Sequence, residues 1–312
     1  MSILRSFEVE RLNFSPPLTP PFKHRGGVSS FGVRRWRSSS LTNFTRDLPS
    51  VHEGVDLVPA LSNDEGEVYG AYWGTIAEHN ENRDTSGNII DEDIGIRCEP
   101  MSVGIFVRYL HIIRTKTLSN GLTVTTASLN VGDNVRPGQL LGYISPNNPD
   151  PHLHYELRAL TDPNQVIAPG RPVESFSIDP TSLLYRFDVG RWPRARNKQI
   201  DDWSFEKYHR ISRLRIVPWV VEHQPGQVKW HTQKLLQVLI EDDNLRIAST
   251  NTGAHQQNRF YLPIDVATPT ERIMIDTLRE AFLNSANIRL RGRVSYFFNE
   301  RLMIEDISLR PA

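Results

Sequence analysis

Pro151-His152-Leu153-His154-Tyr155-Glu156-Leu157 sets apolar residues at every second position. That period belongs to a strand, in which residues i and i+2 point to one face, about 6.6 Å apart at ~3.3 Å per residue. His152 and His154 therefore look into one space. Leu153, Tyr155 and Leu157 face the other way and can pack in a core. Taken alone, a His-x-His pair reads as two ordinary strand residues. The fold and the chemistry turn on what the rest of the chain brings to it.

Upstream of the pair lies a loop rich in Pro, Asn and Asp, from Ser145 to Pro151. Val131 to Ile144 predicts two strands around the Pro137-Gly138 turn. Leu122 to Ala127 predicts another by its β-branched content. Val103 to Ile113 is a strongly apolar strand with His111 near its end. Residues 79–94 are polar, with Glu81, Asp84, Asp91 and Glu92 ahead of Asp93, and read as a loop. They form part of a long acidic insertion between Trp73 and Val103. Glu67 to Glu78 reads as two short strands broken by glycines.

Val51-His52-Glu53-Gly54-Val55-Asp56-Leu57-Val58 carries a histidine and two acids. Gly54 and the β-branched Val51, Val55 and Val58 disfavour a helix. On a straight strand His52 and Asp56 would lie about 13 Å apart. To meet on one metal ion the chain must bend between them, and Gly54 permits the bend. Residues 1–30 read as an irregular arm. Ile3, Phe7 and Val9 can begin a strand there, and Pro16, Pro17, Pro20 and Pro21 then rule out regular structure. Phe31 to Arg34 is a short extended piece, and 35–50 is a polar surface loop. Ile178 to Leu184 closes the unit. No helical pattern precedes residue 180, so this part is expected to be all-β.

Beyond residue 185 come Arg186, Arg191, Arg194, Arg196, Lys198, Arg210, Arg213 and Arg215, interleaved with Asp201, Asp202 and Glu206. This stretch reads as a linker with a solvated face and the entry to a second domain. Val228 to Thr232, Leu235 to Ile240 and Asn244 to Thr250 read as strands. Thr268, Pro269 and Glu271 supply an N-cap, a first-turn proline and a capping box. Met274, Ile275, Leu278, Ala281 and Phe282 then form a stripe at helical spacing. Strands at Ile288 to Phe298 and Leu302 to Leu309 follow, joined at Asn299-Glu300-Arg301. Short strands with one helix make a small, β-rich domain whose pattern resembles an OB-fold. The expected division is an arm at 1–27, a mainly β, antiparallel domain at 28–187, a basic linker at 188–215 and an accessory domain at 216–312.

The 312 residues suit two domains. Lys and Arg number 36, equal to Asp and Glu, so no net charge draws in nucleic acid or an anionic membrane. The single cysteine, Cys98, leaves no intramolecular disulfide and no cysteine zinc cluster. No apolar run reaches the ~18 residues a membrane span needs. The first residues lack the basic-then-apolar order of a signal peptide. Synthesis in the cytoplasm is the expectation, and action outside a cell would need another carrier.

Histidine or carboxylate thus stands in β context at three places: His52 with Asp56, His111, and His152 with His154. Nitrogen and carboxylate ligands from separate strands suit zinc, and a catalytic site keeps one position for water. Two His and one Asp leave that position open. The two remaining imidazoles, with pKa near neutrality, suit proton transfer. His24, His79, His209, His223, His231 and His255 read as surface or core residues.

Together these motifs resemble the M23 family of zinc metallopeptidases, the lysostaphin/LytM-type peptidoglycan endopeptidases. The resemblance runs through His52-Glu-Gly-Val-Asp56, Tyr109-Leu-His111, Gly132-Asp-Asn-Val-Arg-Pro-Gly-Gln139 and His152-Leu-His154. Phe31-Gly32-Val33-Arg34 and Asp179-Pro180 match the family's usual opening and ending, and the whole covers roughly 28–187. It implies an antiparallel, sandwich-like peptidase domain holding one Zn²⁺ on His52, Asp56 and His154. His111 and His152 would then face the water and the scissile amide. On the strand period Tyr109 shares the face of His111 and, with Asn147 and Asn148, becomes a candidate substrate contact, although the strand-edge aromatic is the favoured reading of Tyr109. The implied substrate is a peptide of bacterial cell wall, met in the periplasm or wall of a target cell. Delivery would be by phage, injection apparatus or lysis, with the C-terminal domain as a docking module.

The chain departs from the family in the Pro/Asn-rich loop before the pair, in the acidic insertion and in Tyr155, which replaces the usual phenylalanine. Loops wall the groove, so specificity does not transfer. Two other readings stand beside this one. The first is a metal-free or regulatory binding protein of the same fold, or a peptidase with an intracellular substrate. The second, a biotinyl or lipoyl carrier suggested by Val131 to Gly142, lacks the Met-Lys-Met or Asp-Lys-Ala triplet.

Overall fold

The computed structural model describes the chain except residues 1–11, 21, 25–30, 32–33, 36–49, 60–64, 101–102, 149, 166–173, 189–201, 225–226, 242–244, 246, 250–257, 266, 296, 299–300 and 311–312. The predicted strand at Ile3 to Val9, residues 36–49 of the polar surface loop, and Gly32 and Val33 lie outside the described residues. The chain forms two compact units, Met1–Phe187 and Asp188–Ala312.

The first unit is built on β1 (Phe22–His24), β2 (Arg34–Arg35), β3 (Ser50–Val51), β4 (Val55–Pro59), β5 (Glu67–Tyr69), β6 (Gly74–Arg83) and β7 (Ile89–Cys98). It continues with β8 (Ile105–Ile113), β9 (Thr115–Thr117), β10 (Thr123–Thr125), β11 (Asn134–Val135), β12 (Leu140–Ile144), β13 (Leu153–Leu160) and β14 (Ser175–Ile178). Helix α1 (Thr181–Asp188) follows, its first turn held by Asp179, which accepts from the Thr181 N–H. Ten strands make one antiparallel sheet in the order β1-β4-β13-β8-β7-β6-β11, with β12 on β5 and β8, and β14 on β13.

Alternation along these strands sorts the sheet into two faces. Val55, Leu57, Leu153, Tyr155, Leu157, Val107, Tyr109, Ile94, Ile96 and Cys98 are buried on the core side. Tyr155 and Tyr109 are direct cross-strand partners with rings edge to face at 5.5 Å. The Tyr155 hydroxyl is buried, with no hydrogen-bond partner among the described residues. A buried, unpaired hydroxyl costs about 1–3 kcal/mol. Tyr155→Phe is therefore expected to raise stability by about 1 kcal/mol, read as a higher Tm in thermal denaturation. A fall in Tm would mean that the hydroxyl has a partner.

The polar stretch 79–94 is not a loop. It forms the distal halves of β6 and β7, a long hairpin turned at Asp84-Thr85-Ser86-Gly87-Asn88. Residues 81–89 are exposed on both faces, so no apolar alternation marks them as strand. Asp84 accepts from the backbone N–H groups of Ser86 and Asn88, and Gly87 takes φ 86° in the turn.

The second unit contains β15 (Asp202–Phe205), β16 (His209–Gln224), β17 (Gln227–Ile240), β18 (Ile247–Ser249), β19 (Arg259–Pro263), helix α2 (Pro269–Leu283), β20 (Asn287–Ser295) and β21 (Arg301–Leu309). Strand β15 and the start of β16 run through part of the stretch read as a linker. The pairings β16-β17-β19-β21-β20 close on themselves through β16–β20, and β19–β21 is parallel. With α2 between β19 and β20, this is a five-stranded closed ring of the OB type. Trp203, Phe205, Val238, Phe260, Leu262, Leu278, Leu290 and Ile304 fill it. The capping box at Thr268 and Glu271 is formed. Leu278 and Ala281 are buried, whereas Phe282, at the end of the stripe, is 38% exposed.

Candidate metal centre

On the opposite face of the first sheet the polar residues converge. His154 and Asp56 are direct cross-strand partners on β13 and β4. The chain bends at Gly54 between β3 and β4, which brings His52 back over Asp56: His52 Nε2 is 3.2 Å from Asp56 Oδ1. His154 Nδ1 lies 2.8 Å from the same oxygen and 2.9 Å from His52 Nε2. Two imidazole nitrogens and one carboxylate oxygen thus meet in a buried spot. The nitrogen–oxygen donor set suits zinc.

Gly54 is required by space. A Cβ there would sit 2.5 Å from the Tyr155 carbonyl oxygen and 2.9 Å from His154 Nε2. Gly54→Ala is expected to force β4 and β13 apart, costing about 1–3 kcal/mol and weakening metal uptake. Both are measurable, by denaturant unfolding and by zinc titration. An alanine variant matching the parent in both would refute the packing argument.

Electrostatics hold the trio in place. Burial opposes ionisation of Asp56. Hydrogen bonds from His154 and His52, with the charges of His52 and His152, outweigh it and keep the carboxyl well below the usual carboxylate range. Burial likewise opposes a charge on His154, but Asp56 and Glu156 raise the imidazole to about 9. Glu156, two residues on and on the same face, receives His154 Nε2 at 3.1 Å. Burial of Glu156 is outweighed by His154, Arg108 and Arg158, which lower its carboxyl to about 2. Arg108 also grips Glu78, and Arg158 reaches Glu53. A carboxylate behind a candidate ligand's second nitrogen fixes the ring and its tautomer.

His111 and His152 stand beside the trio. Their ring centroids are 5.1 Å apart, and His111 is 6.4 Å from His154. His152 Nδ1 lies 2.6 Å from the Asp150 carbonyl oxygen, which aims the ring. His111 reaches this face through a bulge. Glu92 pairs with Ile112 and Ile94 with Tyr109, so Leu110 and His111 together oppose Asp93. His111 takes φ 67°, a conformation uncommon outside glycine. Its Nδ1 lies 2.8 Å from Asp91 Oδ2. Burial pushes the neighbouring Asp93 carboxyl up.

Tyr109 does not share the face of His111, because the bulge reverses the alternation. It is fully buried, and its hydroxyl accepts from the Ala71 N–H at 2.7 Å, so it is not a substrate contact. Asn147 is exposed and its amide donates to the Ile90 carbonyl at 3.2 Å. Asn148 Oδ1 accepts from the Asp150 N–H at 3.3 Å. Both asparagines thus shape the loop that carries His152. Glu156, Arg108, Arg158, Asp91 and Asp93 went unread in the sequence. The alternation Ile94, Ile96, Cys98 was the available sign that Asp91 and Asp93 lie on a strand, facing opposite to those residues.

No protein-family model matches the chain, and no curated protein does. Among solved structures, the chain is similar to M23 peptidases. One is the catalytic domain, as a point mutant, of the prophage-encoded M23 protein EnpA from Enterococcus faecalis. There the identity is 22%, the match covers 50% of this chain and 94% of that one, and the TM-score is 0.29. Another is the catalytic domain of the antimicrobial peptidase lysostaphin from Staphylococcus simulans, at 19% identity, 52% and 98% coverage and TM-score 0.29. Full-length lysostaphin matches at 17% identity over 77% of this chain and 88% of its own, with TM-score 0.31.

Proposed function

We propose that the chain is a zinc-dependent endopeptidase that hydrolyses peptide bonds of bacterial peptidoglycan. The observation that carries the reading is the meeting of His52 Nε2, Asp56 Oδ1 and His154 Nδ1, with His111 and His152 on the same side. His52, Asp56 and His154 would hold the ion. Zinc bound there supplies Lewis acidity toward an amide carbonyl and brings the pKa of water down toward ~7. Glu156 keeps the His154 ring turned so that Nδ1 faces the centre and Nε2 stays engaged. His111 and His152 are the proton-handling groups: one accepts a proton from water, and an imidazolium donates one to the departing amine or to the oxyanion. The backbone carbonyl of Asp150 engages His152 Nδ1, and Nε2, 3.5 Å from Asp56 Oδ1, is the atom turned toward the centre.

The catalytic part is assigned to 28–187 and a docking or wall-binding part to 216–312. The site of action is assigned to the periplasm or wall of a target cell, reached by phage, injection apparatus or lysis. The deciding experiment is incubation of the full chain with purified peptidoglycan, with and without chelator, followed by mass analysis. New amines at one bond type, lost on chelation and restored by zinc, are expected. Intact wall in the presence of stoichiometric zinc would favour an intracellular substrate. Protein purified without chelator and free of metal would favour a binding role.

A further inference from the structure

We infer that Asp91, on the polar β6–β7 hairpin, is a positioning residue that fixes the orientation and tautomer of His111. The inference rests on the endopeptidase reading for its catalytic consequence, and on geometry alone for the tautomer.

Asp91 is 4% exposed. A buried carboxylate needs partners, and each oxygen of this one has a different partner. Oδ2 meets His111 Nδ1 at 2.8 Å, and Oδ1 accepts from the Asn82 side chain at 2.6 Å. Asn82 is the direct cross-strand neighbour of Asp91 on β6. The chain Asn82–Asp91–His111 therefore runs from the hairpin stem to the candidate centre. A carboxylate oxygen at this distance accepts from a ring N–H, so in the neutral imidazole the proton sits on Nδ1 of His111 and Nε2 presents its lone pair. A ring fixed in this way can accept a proton at one defined atom, as a proton-handling imidazole must.

The backbone makes this restraint necessary. His111 is the bulged residue at the point where the edge of β8 passes from β13 to β12. Its carbonyl accepts from the Ser145 N–H at 2.9 Å, and its N–H approaches Asp93 Oδ1 only at 3.4 Å. Its side chain is 29% exposed, so packing alone does not choose its rotamer. The Asp91 contact does. The same three groups, Asp91, Asp93 and His111, have ligand atoms close enough to be weighed as a second metal site. Pairing of Nδ1 with Asp91 in the His–carboxylate manner favours positioning, and metal stoichiometry separates the two readings.

The test uses the full chain and three variants: Asp91→Ala, Asp91→Asn and, at the far hairpin tip, Asp84→Asn. Long-range ¹H–¹⁵N spectra of the imidazoles read the tautomer directly, with or without activity. His111 is expected as the Nδ1–H form in the parent and as a mixture in Asp91→Ala. An Nε2–H form in the parent overturns the inference. On peptidoglycan, Asp91→Ala is expected to lower kcat by about 10–100-fold with KM little changed and one zinc per chain retained. Asp91→Asn, which keeps an acceptor but no charge, should fall between, and Asp84→Asn should match the parent. Unchanged kcat in Asp91→Ala sinks the inference while leaving the endopeptidase reading intact. Two zinc ions per parent chain, one of them lost in Asp91→Ala, would make Asp91 a ligand and sink it too. A parent that neither binds zinc nor cleaves defeats the endopeptidase reading, and the spectra still decide the tautomer.

Discussion

His154→Ala should abolish zinc binding and peptide cleavage together. The alanine removes one of three converging ligand atoms, and two ligands do not hold zinc in a catalytic site. Loss of several kcal/mol of charge stabilisation, at 1.36 kcal/mol per tenfold, lowers the rate by about 10³-fold or more. The substitution also leaves Asp56 and Glu156, both buried, without the imidazole between them. Circular dichroism of the variant separates lost metal from lost fold. Asp56→Asn serves as a second variant, since it keeps the shape and removes the charged ligand. Metal analysis and fragment mass analysis read the result. A folded His154→Ala protein that keeps one zinc and full cleavage would refute the assignment.

The second large effect is expected at a residue that binds nothing directly. Glu156→Ala removes the carboxylate shared by His154, Arg108 and Arg158. Breaking a buried ion pair from one side typically costs about 3–5 kcal/mol, because its partners stay buried and uncompensated. Loss of the group behind a ligating ring typically lowers metal affinity about 10–100-fold. Unfolding in urea and zinc titration measure the two effects separately. The pH dependence has a definite sign. The Glu156 carboxyl is lowered from 4.5 to about 2 by folding. Its contribution is therefore complete above pH 4.5 and lost as pH falls through 2. Metal-free parent protein should lose stability across that window, and Glu156→Ala should lose correspondingly less. An equal acid loss in both would show that other carboxylates set it.

The centre was legible in the sequence where chemistry and strand period coincide. His152 and His154 needed only alternation, and Gly54 supplied the bend that brings His52 to Asp56. Helix α2 was legible because its cap is local, the capping box lying within four residues. The β6–β7 hairpin was not. Its distal strands are wet on both faces and carry no apolar period, and the burial of Asp91 and Glu92 depends on His111, His79 and Arg114, distant in sequence. The facing of Tyr109 was misread for a related reason. One bulged residue reverses alternation beyond it, and nothing in Tyr109-Leu110-His111 announces the bulge. Closure of the second unit likewise depends on β16 meeting β20 across 79 residues of sequence, from His209 to its partner Ile288, beyond any local pattern.

Cys98, the last residue of β7, is the single thiol of the chain, fully enclosed in the core and held un-ionised by burial. Thiol reagents attack the thiolate, so this sulfur is shielded twice, by access and by protonation. The native protein therefore offers a silent background for site-directed labelling. A cysteine introduced at the exposed hairpin tip, for example Ser86→Cys, would be the one residue to take a maleimide dye without any prior removal of cysteines. A fluorophore there would report changes in the environment of the hairpin that carries Asp91, on the full chain and without further substitution.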